Sequence, residues 1–309
     1  MTTDHKTIKR IAVMTSGGDA PGMNAFIRST VRKALAHGLE VFGVHEGYQG
    51  MIENKIISLD YDSVCNIAKT GGTVLKTSRS KEFMTIVGRQ KAAVNLDELG
   101  IDALICCGGN GSYLGLEALA KDWHGSVIGA PGTIDNDVSG TDYTIGFDTA
   151  VNTAMQAIDN LRDTGDSHNM HFLVEVMGRH CGDIARDVGI AFGAIDVLIP
   201  ETPSDINHVI DSIREHGHNI IVVSEGDETG GAQKLSEMLK IAFEEKHPGE
   251  EAQFRVCILG HVQRGGRPTA RDRILAHTLA EFAVDSIMNS VSLKAVAIHK
   301  EEYVLTGLS

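Results

Sequence analysis

The sequence is poor in aromatic residues. Phe, Trp and Tyr make up 5% of its 309 residues, with one tryptophan, Trp123. Single-stranded nucleic acid is held by stacking bases on rings, so the composition argues against that role. Positive charge is scarce too, with 28 Lys and Arg against 41 Asp and Glu and a net charge of -13. That field opposes any broad nucleic-acid or anionic-membrane surface. A small anionic ligand then needs a local cluster of Arg, Lys and backbone N–H groups that reverses it. The five cysteines are Cys65, Cys106, Cys107, Cys181 and Cys257, and none forms a CxxC pair. Cys106, Cys107 and Cys257 lie in apolar runs and read as core-packing thiols in a reducing, cytoplasmic compartment. No apolar stretch is long enough to span a membrane, and MTTDHKTIKR reads as a polar lead-in to a strand, with no signal peptide expected.

What is present is an alternation of short apolar runs with helical patterns. Ile11–Met14, Leu39–Val44, Ala103–Cys107 and Ser126–Ala130 read as strands, and Pro21 to His37 as a helix closed by Gly38. A second series follows at Phe172–Met177, Val197–Ile199, Ile220–Ser224 and Val256–Leu259, after a helix over Asp148–Leu161. The near-continuous apolar character of these strands suits parallel sheets covered on both faces. The expected fold class is α/β, with two three-layer α/β/α domains, mainly parallel sheets and the active site in the cleft between them.

Glycine-rich segments recur where strands give way to helices. Thr15-Ser16-Gly17-Gly18-Asp19-Ala20-Pro21-Gly22 is the first, and Gly108-Gly109-Asn110-Gly111-Ser112 repeats the device. Such turns bring backbone N–H groups and a helix N-terminus to phosphate oxygens at the carboxyl ends of strands. Either one alone reads equally well as a tight turn with no ligand. Pro131-Gly132-Thr133-Ile134-Asp135-Asn136-Asp137 adds a carboxylate able to take a proton from an attacking hydroxyl. Gly178-Arg179-His180 places a cation between glycine turns, suited to charge on a phosphoryl group in transfer. Gly260-His261-Val262-Gln263-Arg264-Gly265-Gly266, with Arg255 on the strand leading in, offers a cage for a phosphate monoester. The bland readings are an Asp/Asn turn, a surface ion-pair arginine and a core histidine. Five such segments in one acidic chain point to phosphoryl chemistry.

The segments TSGGDAPGMNAFIR, GGNGSY, PGTIDNDVSGTDYTIGFDTA, VEVMGRHCGDIA and LGHVQRGGRPTARDRILA resemble bacterial ATP-dependent 6-phosphofructokinase, from about Ile8 to beyond Ala297. The resemblance implies transfer of the γ-phosphoryl group of ATP to the 1-hydroxyl of fructose 6-phosphate, with Mg²⁺, in glycolysis. It implies a nucleotide-binding domain over 1–146 plus 263–309 and a sugar-phosphate-binding domain over 147–262. By position, Asp135 is the expected general base with Thr133 beside it, and Arg179 the expected stabiliser of transition-state charge. Met177, Gly178 and Glu225 would contact the sugar. His261 and Arg264 would hold its 6-phosphate, with Arg255 reaching in from a partner subunit of a homotetramer. Gly18, Tyr48, Arg79, Ser80, Asn110, Gly111 and Ser112 would line the nucleotide site. Arg28, Arg32 and Arg162 match the family's allosteric effector site.

The chain departs from the family at several places. Asn110 stands at the metal position, where an Asp is expected. Met170 replaces an arginine that crosses to the sugar phosphate, and His171 beside it is a candidate substitute. Tyr61 replaces an effector-site arginine, and His216-Gly217-His218 replaces a lysine-rich stretch. Relative to the family pattern the chain stops about twenty residues early. Pyrophosphate-dependent relatives carry Asp and Lys where this chain has Gly111 and Gly132, so both glycines are expected to leave room for ATP. The alternative readings are a catalytically weak paralogue acting as a regulatory subunit, and a pyrophosphate-dependent variant.

Overall fold

The structure, a computed structural model, describes residues 8–168, 170–213, 219–250 and 252–308. The His216-Gly217-His218 stretch lies outside the described residues. The chain divides into two compact units, neither contiguous. Unit 1 holds Met1–Ile134, Val138–Gly146 and Arg264–Ser309; unit 2 holds Asp135–Asp137 and Phe147–Gln263.

In unit 1 the elements run β1 (Arg10–Thr15), α1 (Met23–Ala36), β2 (Glu40–Val44), α2 (Gly47–Ile52), β3 (Ile56–Leu59), α3 (Ile86–Glu98), β4 (Ala103–Gly108), α4 (Asn110–Asp122), β5 (Ser126–Thr133) and β6 (Ile145–Gly146). Unit 2 follows with α5 (Phe147–His168), β7 (His171–Val176), α6 (Asp183–Phe192), β8 (Asp196–Leu198), α7 (Ile206–Ser212), β9 (Asn219–Ser224), α8 (Ala232–Lys246) and β10 (Phe254–Ile258). The chain then returns to unit 1 with α9 (Ala270–Met288), β11 (Lys294–His299) and β12 (Glu302–Thr306).

The sheet of unit 1 runs β12-β11-β5-β4-β1-β2-β3, parallel except for its two edge strands. Its central strands are apolar because both faces are covered: every residue of Ala103–Gly108 is buried. The chain moves from β1 to β2 on one side, then returns to place β4 on the other. The point between β1 and β4 is therefore a topological switch, where open α/β sheets leave a crevice at their carboxyl ends. Unit 2 repeats the device with four parallel strands in the order β10-β7-β9-β8. Both units bear out the expectation of mainly parallel α/β architecture.

One boundary differs with consequence for the site. Pro131-Gly132-Thr133 continues β5 and is not a loop, because Gly132 and Thr133 pair in parallel with Ile145 and Gly146. The Thr144 hydroxyl also donates to the Thr133 carbonyl at 2.6 Å. No described helix is long and apolar enough to cross a membrane.

Candidate active site

In unit 1 the carboxyl ends of β1, β4 and β5 lie side by side, since these strands are consecutive in the sheet. The loop after β1 is tied to β4 by Ser16 N–H donating to the Cys107 carbonyl at 3.0 Å. Asn110, exposed, opens α4 at this end, and Ser112 is buried one turn in. Gly111 is exposed, and a Cβ placed on it would meet nothing within 4 Å.

Side chains from the adjoining loop brace this region. Buried Asn24 on α1 donates to the Thr70 hydroxyl at 2.9 Å and accepts from Val74 N–H at 2.8 Å. The Thr77 hydroxyl donates to the Gly17 carbonyl at 2.7 Å. Arg79 is exposed. Ser80 is half-buried, donating to Gln49 Oε1 at 2.6 Å while accepting from Phe83 N–H at 3.0 Å. Arg264 folds with unit 1, and its Nη1 donates to the Asp19 carbonyl at 3.4 Å, beside Gly18.

Two residues expected on the nucleotide side pack inward. Tyr48 is buried under α4, with its hydroxyl donating to the Ser112 carbonyl at 2.6 Å and its ring stacked on Phe83. Burial pushes its phenol well above the ordinary value. It supports the first turn of α4. Gly132 does not open onto free space either. A Cβ there would lie 2.5 Å from Cys107 Sγ and 3.2 Å from Met23 Cε. Packing between β5, β4 and α1 explains this glycine whatever the phosphoryl donor. Gly132→Ala should accordingly lower stability by about 1–3 kcal/mol, the cost of overpacking a filled core. Gly111→Ala should leave stability nearly unchanged. Denaturant melts of the two variants check this, and equal melts would contradict the assignment.

In unit 2 the carboxyl ends of β10, β7 and β9 are neighbours, and each ends in a predicted site segment. Met177 and Gly178, both buried, follow β7. Arg179 follows with φ +54°, a left-handed conformation that costs a non-glycine residue about 1–2 kcal/mol. The structure holds it there: Glu225, after β9, accepts from Arg179 N–H through Oε1 at 2.9 Å. Gly226 lies so close that a Cβ on it would sit 1.6 Å from the Arg179 carbonyl oxygen. With its backbone fixed, the exposed Arg179 side chain places Nε 3.8 Å from Oδ2 of Asp135. Asp135 is 3% exposed. Its neighbour Asn136 donates to Asp183 Oδ2 at 2.9 Å, which ties this short stretch to the start of α6. Glu201 accepts from Gly182 N–H at 2.7 Å and closes the other end of the Met177–Gly182 loop.

His261 is exposed, in the turn after β10, and is no core histidine. Arg255 is exposed on β10, with a 3.4 Å contact to Gln253. His171, beside Met170, is buried, and its Nδ1 lies 3.0 Å from Asn219 Nδ2. Of the positions expected at an effector site, Arg28 is half-buried, Arg32 stacks over Tyr61 at 5.3 Å and Arg162 over Phe192 at 4.6 Å. Within unit 2, then, the structure gathers Asp135, Arg179, Gly178 and Glu225. Sequence reading missed the residues that shape this gathering, Gly226, Asp183 and Glu201. Gly226 and Glu201 act on backbone atoms and Asp183 on the side chain of distant Asn136, which leaves no motif beyond a glycine beside an acid. Among the described residues, no three His, Cys, Asp or Glu side chains assemble a metal nest.

The phosphofructokinase family model matches residues 10–287. The chain is 49% identical over 306 residues to a protein of Thermus thermophilus named ATP-dependent 6-phosphofructokinase 1, covering 97% of this chain and 93% of that one. It is 48% identical over 307 residues to the ATP-dependent 6-phosphofructokinase of Paenibacillus macquariensis, covering 98% and 92%. Its structure superposes on phosphofructokinase from Saccharomyces cerevisiae with a TM-score of 0.88 and 36% identity, covering 97% of this chain and 45% of that longer one. The chain belongs to the phosphofructokinase family.

Proposed function

We propose that this chain is an ATP-dependent 6-phosphofructokinase, moving the γ-phosphoryl group of ATP to the 1-hydroxyl of fructose 6-phosphate. The observation that carries the reading is the pairing of buried Asp135 with Arg179, Nε to Oδ2 3.8 Å, in a chain so similar to proteins of that name. Asp135 takes the proton of the 1-hydroxyl as the new O–P bond forms. The bond from phosphorus to the bridging oxygen breaks, and ADP leaves with that electron pair. Arg179 spreads the charge that builds on the transferring group. Thr133, at the end of β5, precedes the base and helps seat the substrates.

The sugar is seated by Met177, Gly178 and Glu225, and its 6-phosphate by His261 and Arg264, with Arg255 of the partner subunit completing the site in a homotetramer. Gly18, Arg79, Ser80, Gly111 and Ser112 cradle the nucleotide, with Tyr48 bracing that wall from beneath. Arg28, Arg32 and Arg162 form the proposed allosteric positions. Arg32 and Arg162 each lie over an aromatic ring, with guanidinium N–H edges left to meet an effector anion. The site works in the cytoplasm, on small molecules, without nucleic acid or membrane.

Magnesium enters as part of the substrate, MgATP. Mg²⁺ takes most of its shell from phosphate oxygens and water and needs only one or two protein oxygens. Asn110, exposed at the first position of α4, supplies a neutral one. Asn110→Asp adds charge to that oxygen. It should lower the Mg²⁺ concentration for half-maximal rate several-fold, and an unchanged Mg²⁺ titration would remove Asn110 from the metal's surroundings.

A coupled assay with ATP, Mg²⁺ and fructose 6-phosphate tests the whole reading. Turnover with ATP supports it. Turnover with pyrophosphate alone replaces the donor. Absence of turnover with retained sugar-phosphate binding replaces the kinase by a regulatory subunit.

A further inference from the structure

Gln263 is 0% exposed, and nothing in the chemistry above uses it. It ends the short helical turn Gly260–Gln263, two residues after His261. Its side chain is spent on two backbone groups of unit 2. Oε1 accepts from Met177 N–H at 2.7 Å. Nε2 donates to the Ala150 carbonyl on α5 at 3.4 Å. The first bond lands where β7 ends and the strained Gly178-Arg179 elbow begins.

Met177 N–H cannot be served by the sheet. β10 pairs with β7 from His171 to Glu175, and β9 pairs with it from His171 to Val176. The Val176 carbonyl takes Glu225 N–H at 2.8 Å. One residue further on the ladder has ended, and a buried amide left unsatisfied there would be costly. Gln263 supplies the missing acceptor.

We infer that Gln263 is a positioning residue: its amide sets the distance between the turn that carries His261 and the elbow that carries Arg179. This inference rests on the proposed sugar-phosphate kinase reading. A fructose 6-phosphate bound through its phosphate near His261 must present its other end to Asp135 and Arg179. The Gln263 side chain spans the two protein segments that read those two ends. It touches neither substrate. Its removal therefore loosens the register between phosphate and hydroxyl, and leaves the nucleotide loops of unit 1 as they are.

The test uses the full chain carrying Gln263→Met and Gln263→Glu. Met matches the volume and removes both bonds. In Q263M, kcat/KM for fructose 6-phosphate should fall about 10- to 100-fold, with the KM for ATP within about twofold of wild type. Glu keeps an acceptor oxygen, but ionised it lacks the donor. Burial raises a carboxyl pKa, so below the raised value the neutral group both accepts and donates, as Gln does. Activity of Q263E relative to wild type should therefore climb as pH falls from about 8 to about 6, where Q263M stays flat. Hydrogen–deuterium exchange over 176–179 gives a readout independent of turnover: faster exchange at Met177 in Q263M, restored in Q263E at the lower pH.

Two outcomes overturn the inference. One is a folded Q263M with unchanged exchange and unchanged kcat/KM. The other is an equal loss for both substrates with no recovery in Q263E, which would make Gln263 a stability residue only. If wild type itself does not phosphorylate fructose 6-phosphate, the kinase reading fails, and the exchange measurement still decides whether Gln263 fixes the elbow.

Discussion

Asp135→Ser is expected to lower kcat by a factor of about 10²–10⁴, with both KM values within a few-fold of wild type. The carboxylate is 3% exposed, so bulk water does not replace it as a proton acceptor. Arg179 lies 3.8 Å away and stays charged in the variant, so electrostatic help to the transferring group survives, and so does some rate. Binding should survive because the proposed contacts to the 6-phosphate, His261 and Arg264, lie on another segment. Asp135→Asn keeps the shape and removes the base, and should lose about as much in kcat. Steady-state kinetics of both variants decide the matter. A kcat near wild type in either one would mean that another group takes the proton.

The second large effect is expected at Gly226, which no motif singles out. Gly226→Ala drives a Cβ to 1.6 Å from the Arg179 carbonyl oxygen. The obstacle is main chain, so no rotamer change relieves it. Either the Ser224–Asp227 turn or the elbow must move by more than about 1 Å, and a displacement of that size at a catalytic group costs on the order of 100-fold in rate. Arg179 already sits in a left-handed conformation, so a shift of the elbow acts directly on the backbone that aims its side chain. We expect kcat to fall about 100-fold and stability to drop by about 2–3 kcal/mol. Melting and turnover measured together test this. A stable variant with full kcat would show that the elbow does not depend on the close approach.

The parallel core was legible because continuous apolar runs such as Ala103–Cys107 have one economical home, a strand covered on both faces. The turns at the strand ends were legible because glycine leaves a mark wherever backbone must come close to something. That same mark misled at Gly132. There the close neighbour is Cys107 Sγ, inside the protein, and sequence alone does not distinguish a ligand from a packed side chain. Tyr48 was ambiguous for a related reason. Its hydroxyl suits a ligand or a main-chain carbonyl equally well, and the fold aims it at Ser112. β3 and β12 escaped because they are short antiparallel edges, half or more exposed, with little apolar periodicity. Gln263, Glu201 and Asp183 escaped because their partners sit far away in sequence or on main-chain atoms.

The parallel pairing of β11 with β5 has a consequence for synthesis on the ribosome. Ser126–Thr133 emerges early, yet its outer neighbour Lys294–His299 comes only after the whole of unit 2 has been made. Over that interval the Ile128–Gly129 stretch of β5 lacks its outer partner, and α1 lacks its partner α9. A nascent chain in this state invites pairing with a second nascent chain. Translation stalled between Phe147 and Gln263 should therefore yield aggregates from the first unit, where release of the complete chain does not.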